Sequence, residues 1–232
     1  MSGVTAHHGT SGRPRLAVRA GLLDEGGDLI DALSPYVDWV SGAAADGCLR
    51  EEDVRDPAAR EAFLERVFAH ARLRTLLEGD WRPRDLVAFH ARHKMQLLAH
   101  DPRLYREAGR MVAAAGTRPR GEVAAEYAAV FRRALAAPVT VGRNVNVLQH
   151  CLGMLGLDPE RRAEVLRAID AYQAGRVPLS EAAALLHRHA ADESGGYVRD
   201  QTYFAPFPDG LRGDLSPADG DVRHGTLSPG RQ

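Results

Sequence analysis

Apolar residues recur at helical spacing along most of this chain, and residues typical of helix ends separate the apolar runs. The first long helix is predicted to begin at Asp56-Pro57, because aspartate is a preferred N-cap and proline suits the first helical turn. Gly79 marks its end. Between these limits one face of the helix is apolar, with Phe63, Leu64, Val67, Phe68 and Ala71.

The same signals predict six further helices. They run from about Arg84 to His100, from Asp101-Pro102 to near Gly116, from Glu122 to Ala136, from Thr140 to Leu155, from Asp158-Pro159 to Gly175, and onward from an N-cap at Ser180. The aromatic, proline-rich stretch from Tyr197 to Pro208 is predicted to pack as an extended arm. We therefore expect an all-α fold, a compact multi-helix domain of about seven helices over residues 53–208.

The rest of the chain is less regular. Residues 1–13 and 209–232 are rich in Gly, Ser, Pro and Asp, so both are predicted to be disordered. Residues 14–52 should form an irregular N-terminal segment, with a short strand at Arg15–Val18, a short helix or loop over 28–40 with a buried Trp39, and a linker at 41–48.

Composition limits the class of protein. Hydrophobic residues make up 44% and charged residues 26%, no apolar run reaches the ~20 residues of a membrane span, and the N-terminus lacks a signal-peptide core. We therefore expect a cytoplasmic protein with no membrane partner. Cys48 and Cys151 are the only cysteines, too few for an iron–sulfur cluster, so we expect no cofactor.

Charge is unevenly distributed although the formal net charge is −1. Residues 81–135 carry eleven Lys/Arg against five Asp/Glu, a balance of +6, which indicates either an anion-binding stretch or an ordinary solvated helix surface. Lys94 is the only lysine among thirty basic residues, and Asn144 and Asn146 are the only asparagines. Residues so rare in one chain are candidates for a specific role.

Two predicted helices carry polar groups in unusual places. In the second, His90, His93, Lys94 and His100 fall on the arc that also carries the leucines, which predicts that several are half buried. This pattern fits a functional site, and it equally fits satisfied core histidines with a lysine that reaches solvent. We do not predict a metal, since one helix cannot wrap these histidines around one ion without a further donor such as His150.

The fifth predicted helix separates its two faces more cleanly. One face is an apolar stripe, and the other carries groups that make directed hydrogen bonds: Arg143, Asn146, Gln149 and His150. Gly153 lies among them and would let a ligand or another backbone approach closely. The alternative interpretation is a hydrogen-bonded seam between two helices. If both polar helices build one site, Lys94 and His90 should lie within reach of Asn146, Gln149 or His150.

Three segments carry a resemblance to a known family. They read FHARHKMQLLAHDPRLYREAGRMVA (89–113), GRNVNVLQHCLGMLG (142–156), and YQAGRVPLSEAAALLHRH followed by DQTYFAPFP, within 172–208. Together they resemble the YbgA-like domain of unknown function, over about two-thirds of the chain.

The N-terminus resembles a remnant of a second domain that precedes the YbgA-like domain in many relatives, a thiouracil-desulfurase (TudS-like) domain with an iron–sulfur cluster. RPRLAVRAGLLDEGG and LSPYVDWV resemble its opening strand and the segment after it. Gly21 stands where those domains have a cysteine close to the Leu-Leu pair, and the sequence then jumps to LREEDVRDPAAREAFLERVFAHARLR, which resembles the join between the domains. The resemblance implies that the middle of the domain is deleted, the cluster ligands are absent and desulfurase activity is lost.

For the fused relatives the resemblance implies a thiolated uracil substrate, including 4-thiouridine in transfer RNA, with the YbgA-like part holding the RNA. The leading hypothesis is therefore a non-enzymatic module that binds tRNA, another RNA or a modified nucleotide. Its candidate ligand- or RNA-binding residues are His90, Arg92, His93, Lys94, His100, Arg103, Arg106, Arg110, Arg143, Asn146, Gln149 and His150. Arg84, Arg118 and Arg120 are further candidates for phosphate contacts.

Two other hypotheses stay open. The chain could be an enzyme that acts on a small anionic substrate, with Lys94 or a histidine as the acid or base. It could also be a purely structural helical module whose polar groups fix helix packing.

Overall fold

The computed structural model describes residues 12–19, 22, 27–41, 44–192 and 196–212. These residues form eleven α-helices and one three-stranded sheet, so the helical class predicted from the sequence is confirmed. The helices outnumber the seven predicted because one long helix is broken in two and several short ones lie near the ends.

The N-terminal segment is a small parallel sheet with one helix. Its elements are β1 (Arg15–Val18), α1 (Gly27–Leu33), β2 (Asp38–Trp39) and β3 (Gly47–Leu49). The strand order is β2-β1-β3, and Leu16 pairs with Trp39 on one side and Gly47 on the other. The predicted strand β1 is confirmed. The predicted linker was wrong because it contains β3, and Trp39 is only half buried, with its indole N–H donating to Ser34 Oγ at 3.0 Å.

A short helix and the longest helix follow, α2 (Glu51–Arg55) and α3 (Pro57–Glu78). Asp56 caps α3 as predicted, since its side chain accepts from Ala58 N–H, and Gly79 is the C-cap. Buried apolar residues in the first half of α3, among them Phe63 and Val67, close a core against Leu16, Leu33 and Leu49 of the N-terminal segment. The sheet is thereby attached to the helical part through α3.

The helix predicted from Arg84 to His100 is broken at His93 into α4 (Pro83–Arg92) and α5 (Lys94–His100). His93 has φ −97° and ψ 4°, outside the helical range of its neighbours. The single helix was therefore a wrong prediction, and the residues that hold the break open belong to the C-terminal arm, as described below.

Six further helices complete the domain. They are α6 (Pro102–Ala113), α7 (Arg120–Ala136), α8 (Val141–Met154), α9 (Pro159–Gln173), α10 (Leu179–Asp192) and α11 (Gly196–Arg199). The predicted caps Asp101 and Asp158 accept from backbone N–H groups, and Thr140 caps α8 in the same way. Ser180 was wrong as a cap, because α10 already begins at Leu179.

Helix α5 lies between two hydrophobic cores. Its Leu97 belongs to a core built from α3, α4, α6 and α7, whereas Met95 and Ala99 belong to a second core built from α8, α9, α10 and Phe204. Helices α6 and α8 both pack against α5. Within α5 only Lys94 and Leu98 are partly exposed, so the surface face of this helix is narrow.

The ordered part extends slightly beyond the limits predicted from composition. Gly12 N–H donates to Thr75 Oγ1 at 3.1 Å, and the Arg13 guanidinium donates to the carbonyl of Val37 at 2.7 Å. At the other end Asp209–Leu211 forms a 3₁₀ turn with Leu211 buried. The arm from Tyr197 to Pro208 is a short helix followed by turns rather than an extended strand. The disorder predicted for 1–11 and 213–232 concerns residues outside the described ranges.

Candidate functional site

The break between α4 and α5 is filled by the side chain of Gln201. In a continuous helix Met95 N–H would donate to the carbonyl of Ala91, four residues earlier. Here Met95 N–H donates to Gln201 Oε1 at 3.3 Å, and Gln201 Nε2 donates to the carbonyl of Ala91 at 3.0 Å. The amide of Gln201 thus takes the place of a peptide group. Nε2 also donates to the carbonyl of Tyr197 at 3.2 Å, and Gln201 is 2% exposed.

Thr202 extends the connection into a buried polar chain. Its backbone N–H donates to the carbonyl of Arg92 at 3.0 Å. Its hydroxyl lies 3.1 Å from both that carbonyl and Gln96 Oε1, and it donates its one proton to either of them. Gln96 Nε2 donates to Glu65 Oε1 at 2.9 Å, and His100 Nε2 lies 3.2 Å from the same oxygen. The C-terminal arm is therefore linked through α5 to a carboxylate on α3.

Glu65 and His100 form a largely buried ion pair. His100 Nδ1 lies 2.6 Å from the carbonyl of Ala137, so both ring nitrogens face acceptors and the ring must carry two protons. Burial alone would lower the pKa of His100, but the hydrogen bond and charge of Glu65 raise it. Burial alone would raise the pKa of Glu65. The hydrogen bonds from His100 and Gln96, together with the positive charge of His100, outweigh burial and lower it. His100, predicted as a ligand contact, instead neutralises Glu65.

Glu65 lies at the wall of a cavity that has a volume of about 640 Å³. The cavity is enclosed by α3, α10, the start of α8 and the C-terminal arm, and most of its wall is apolar, for example Ala99, Val139 and Phe204. Glu65 Oε1 is occupied by Gln96 and His100, whereas Oε2 has no hydrogen bond to any residue within the described ranges. The cavity thus combines apolar walls with one buried acceptor.

Asn144 also lines this cavity and is 3% exposed. Its Nδ2 donates to the hydroxyl of Tyr172 at 3.0 Å, and the hydroxyl of Tyr203 donates to its Oδ1 at 3.1 Å. Asn144 and Asn146 are the only asparagines of the chain, and Asn146 was the one predicted to contact a ligand. Asn146 is exposed, and Asn144 is the asparagine at the cavity.

The other two histidines of the second predicted helix, His90 and His93, are buried in the first core, as their place on the apolar arc indicated. His90 stacks on Tyr105 and its Nδ1 lies 3.1 Å from Tyr127 Oη. Burial, with a smaller effect of the Lys94 charge, lowers the pKa of His90 to about 4, so its ring is neutral. His93 donates from Nδ1 to the carbonyl of Phe89 at 2.8 Å and accepts from Arg72 Nε at 3.2 Å. Burial and the Arg72 charge hold the pKa of His93 well below its usual range, so this ring is a neutral structural element as well.

Lys94 is the first residue of α5 and is partly exposed. Its charge lowers the pKa of His90 and opposes the burial that raises the pKa of Cys151 to about 12, so it stands between α4 and α8. The predicted meeting of the two polar helices is not made through hydrogen bonds. In the described part of the chain, none joins Lys94 or His90 to Asn146, Gln149 or His150.

A second, basic pocket of about 330 Å³ lies where α5 ends and α6 and α8 begin. It is lined by Asp101, Pro102, Arg103, Arg106 and Arg143. Arg143 Nη1 donates to the carbonyls of His100 and Pro138. Arg103 and Arg106 are exposed and form no ion pair with any described residue.

Arg110 extends this surface one turn along α6, exposed and likewise without an ion pair among the residues described. We call Arg103, Arg106, Arg110 and Arg143 the α6–α8 basic face. On α8 the face continues into a polar arc, because Asn146, Gln149 and His150 are all exposed. A Cβ on Gly153 would meet nothing within 4 Å, so the close approach expected there is not made by any described residue.

Other arginines proposed from the sequence differ in their surroundings. Arg118 is bonded to Glu126 at 2.7 Å and to Glu122, and Arg120 pairs with Asp80 at 2.7 Å while lying over the ring of Trp81. These ion pairs reduce the positive charge at that end of the basic stretch. Arg92 is exposed and has no ion pair with the residues that are described. Among the arginines proposed from the sequence, those without an ion pair therefore lie mainly on α6.

Sequence reasoning missed Glu65, Gln96 and Tyr203, and it singled out Asn144 only for its rarity. Glu65 gave no signal, since a glutamate in a long charged helix is ordinary. Over the described ranges, no group of three or more His, Cys, Asp and Glu side chains could hold a metal ion. None of the described helices is long and apolar enough to cross a membrane.

The comparisons with known proteins place part of the chain in a family. A family model described as "Protein of unknown function (DUF1722)", the YbgA-like family, matches residues 94–208, from Lys94 at the helix break through the arm that carries Gln201. No curated protein and no solved structure matches the chain. The matched range contains α5 to α11 and most of the residues of both pockets. Residues 94–208 of this chain therefore match the YbgA-like family of unknown function, DUF1722.

Proposed function

We propose that this protein is an RNA-binding module, with transfer RNA as the leading candidate, and that the α6–α8 basic face contacts the RNA backbone. The observation that carries the proposal is the basic pocket, where arginines from two helices converge and two of them lack an internal partner. Arginine presents a planar fork of donors that suits phosphate oxygens. Lone surface arginines normally spread over a protein rather than sharing a pocket.

The polar arc on α8 supports the same proposal. Asn146, Gln149 and His150 are exposed next to the basic face and carry both donors and acceptors. In RNA recognition, positive charge holds the backbone while such groups contact bases and riboses. The desulfurase activity of the related fused proteins has no part in this proposal, because the described chain offers no cluster of thiolate ligands.

The magnitude follows from counterion release. Each neutralised phosphate adds about −0.9 to the slope of log affinity against log salt on a duplex, and about −0.7 on a single strand. Four contacts from the α6–α8 basic face would give a slope of about −3 to −4, so raising salt from ~50 to ~200 mM should weaken binding on the order of 100-fold.

The test is an electrophoretic shift titration with transfer RNA at these two salt concentrations. Arg106→Ala should weaken binding to all RNAs alike and reduce the slope by about one. The matched control is Arg167→Ala, an exposed arginine on α9 with no described ion pair, which should change neither quantity. Asn146→Ala should keep the slope and reduce any preference among RNA sequences.

The absence of a shift even at ~50 mM salt would refute RNA binding. Equal effects of Arg106→Ala and Arg167→Ala would show that the binding is diffuse and not directed by the α6–α8 basic face.

A further inference from the structure

The cavity beside Glu65 has the features of a small-ligand site rather than of a packing defect. Its volume of about 640 Å³ lies within the ~300–1,000 Å³ of typical ligand pockets. Such pockets combine apolar walls with a few convergent polar groups, and the Glu65–Asn144–Tyr203 group is of this kind. A cavity that stays empty is apolar, whereas unpaired polar groups in a wall bind water or a ligand.

The unused hydrogen-bond donors and acceptors of these polar groups define what a ligand must present. Glu65 Oε2 can only accept, because the carboxylate is ionised through its pair with His100. The hydroxyl proton of Tyr203 is donated to Asn144, which leaves that oxygen as an acceptor. Asn144 Nδ2 has two protons and donates one of them to Tyr172, so one proton is left for a ligand acceptor. A complementary head group therefore offers N–H donors next to a carbonyl or ring acceptor.

A charged group at another part of the cavity wall adds a second requirement. Arg188 of α10 lines the cavity, is exposed, and pairs with no carboxylate in the described structure. His187 and Phe204, also in the wall, stack with ring centroids 5.2 Å apart and planes 10° apart. Aromatic side chains of this kind favour a flat ligand body, and an exposed guanidinium favours an anionic substituent.

We propose that this cavity binds a single nucleotide, with the N–H edge of its base at Glu65 and its phosphate at Arg188. The choice of a nucleotide among flat anionic ligands rests on the proposed RNA-binding function. The two sites share helix α8, because Arg143 lines the basic pocket and the next residue, Asn144, lines the cavity. An unpaired nucleotide of an RNA held on the α6–α8 basic face would then enter the cavity.

The test is calorimetric titration of the full chain with the four ribonucleoside 5′-monophosphates and with the matching uncharged nucleosides. At least one monophosphate should bind saturably with one site per chain. Glu65→Gln should weaken it about ten-fold or more, the usual effect of losing a hydrogen bond to a charged group. Arg188→Ala should weaken the monophosphate but not the nucleoside, and Arg167→Ala serves as its control.

A further variant guards against misfolding of Glu65→Gln. Ala184 lines the cavity from the exposed side of α10, so Ala184→Trp should fill the mouth without disturbing a core. Ala129→Trp, at an equally exposed alanine of α7, is its control. Loss of binding in Ala184→Trp but not in Ala129→Trp would support the assignment.

The proposal is overturned if none of the four monophosphates binds at millimolar concentration, or if Glu65→Gln and Ala184→Trp both bind like the parent chain. The two proposals can fail separately. An RNA shift without nucleotide binding would remove the cavity assignment alone, whereas nucleotide binding without an RNA shift would remove the proposed RNA function and leave the cavity occupied by a free nucleotide.

Discussion

Replacing Gln201 by alanine should destabilise the whole helical domain, although the residue lies outside every long helix. The substitution removes the acceptor of Met95 N–H and the donor to the carbonyls of Ala91 and Tyr197. Each such bond contributes about 1 kcal/mol net, so the three together amount to about 3 kcal/mol. In a domain of this size 1 kcal/mol corresponds to roughly 2–4 °C, and the melting temperature should fall by about 6–12 °C.

The measurement is a thermal melt followed by circular dichroism, with Gln173→Ala as the control because Gln173 is exposed at the end of α9. Gln201→Glu is a second comparison of nearly equal size. It turns both donations into contacts between oxygens, so it should destabilise at neutral pH at least as much as alanine does. If Gln201→Ala melted within about 2 °C of Gln173→Ala, well below the expected range, the role assigned to this amide would be wrong.

Two further predictions concern titratable and reactive groups. Because the pKa of Glu65 is lowered in the folded chain, this group stabilises the fold at pH values above its unfolded pKa of 4.5, and the stabilisation is lost on acidification. Because the pKa of His100 is raised, this group stabilises the fold at pH values below its unfolded pKa of 6.5, and the stabilisation is lost as the pH rises through the folded pKa. Glu65→Gln should therefore lower the free energy of unfolding most between pH 4.5 and 6.5, by about 3 kcal/mol. Urea titrations that give the same loss at pH 5.5 and at pH 9 would contradict this. Cys48 is exposed, whereas Cys151 is buried with its pKa raised to about 12. A thiol reagent should therefore titrate one thiol in the native chain and two in denaturant. Two thiols that react fast without denaturant would show that α8 opens.

Local signals in the sequence were sufficient for most helix ends. Asp56, Asp101 and Asp158 each precede a proline, and each caps a helix in the structure. These predictions succeed because the side chain and the N–H groups that it accepts from are two or three residues apart. The separation of Asn146 and His150 from the apolar stripe of α8 was equally local, since it follows from their angle around one helix.

The break at His93 could not be predicted in this way. Nothing between Arg84 and His100 disfavours a helix, and the residue that separates α4 from α5 is 106 positions beyond Met95. The cavity depends in the same way on distant segments, because its polar group combines Glu65 of α3, Asn144 of α8 and Tyr203 of the arm. A single sequence states the residue types but not which of them meet.

The insertion of Gln201 between Ala91 and Met95 has a consequence for how the chain is made. During synthesis the α4–α5 segment is made before Gln201. The delay between Met95 and Gln201 is the time that the ribosome needs to add 106 residues. At roughly 5–20 residues per second, that delay is about 5–20 s. Throughout it, no glutamine amide separates Met95 N–H from the carbonyl of Ala91, so any helix formed by the nascent segment should run through His93 without a break. The native bend is then introduced last, when the arm arrives, and a ribosome stalled shortly before codon 201 would display a helix that the finished protein does not contain.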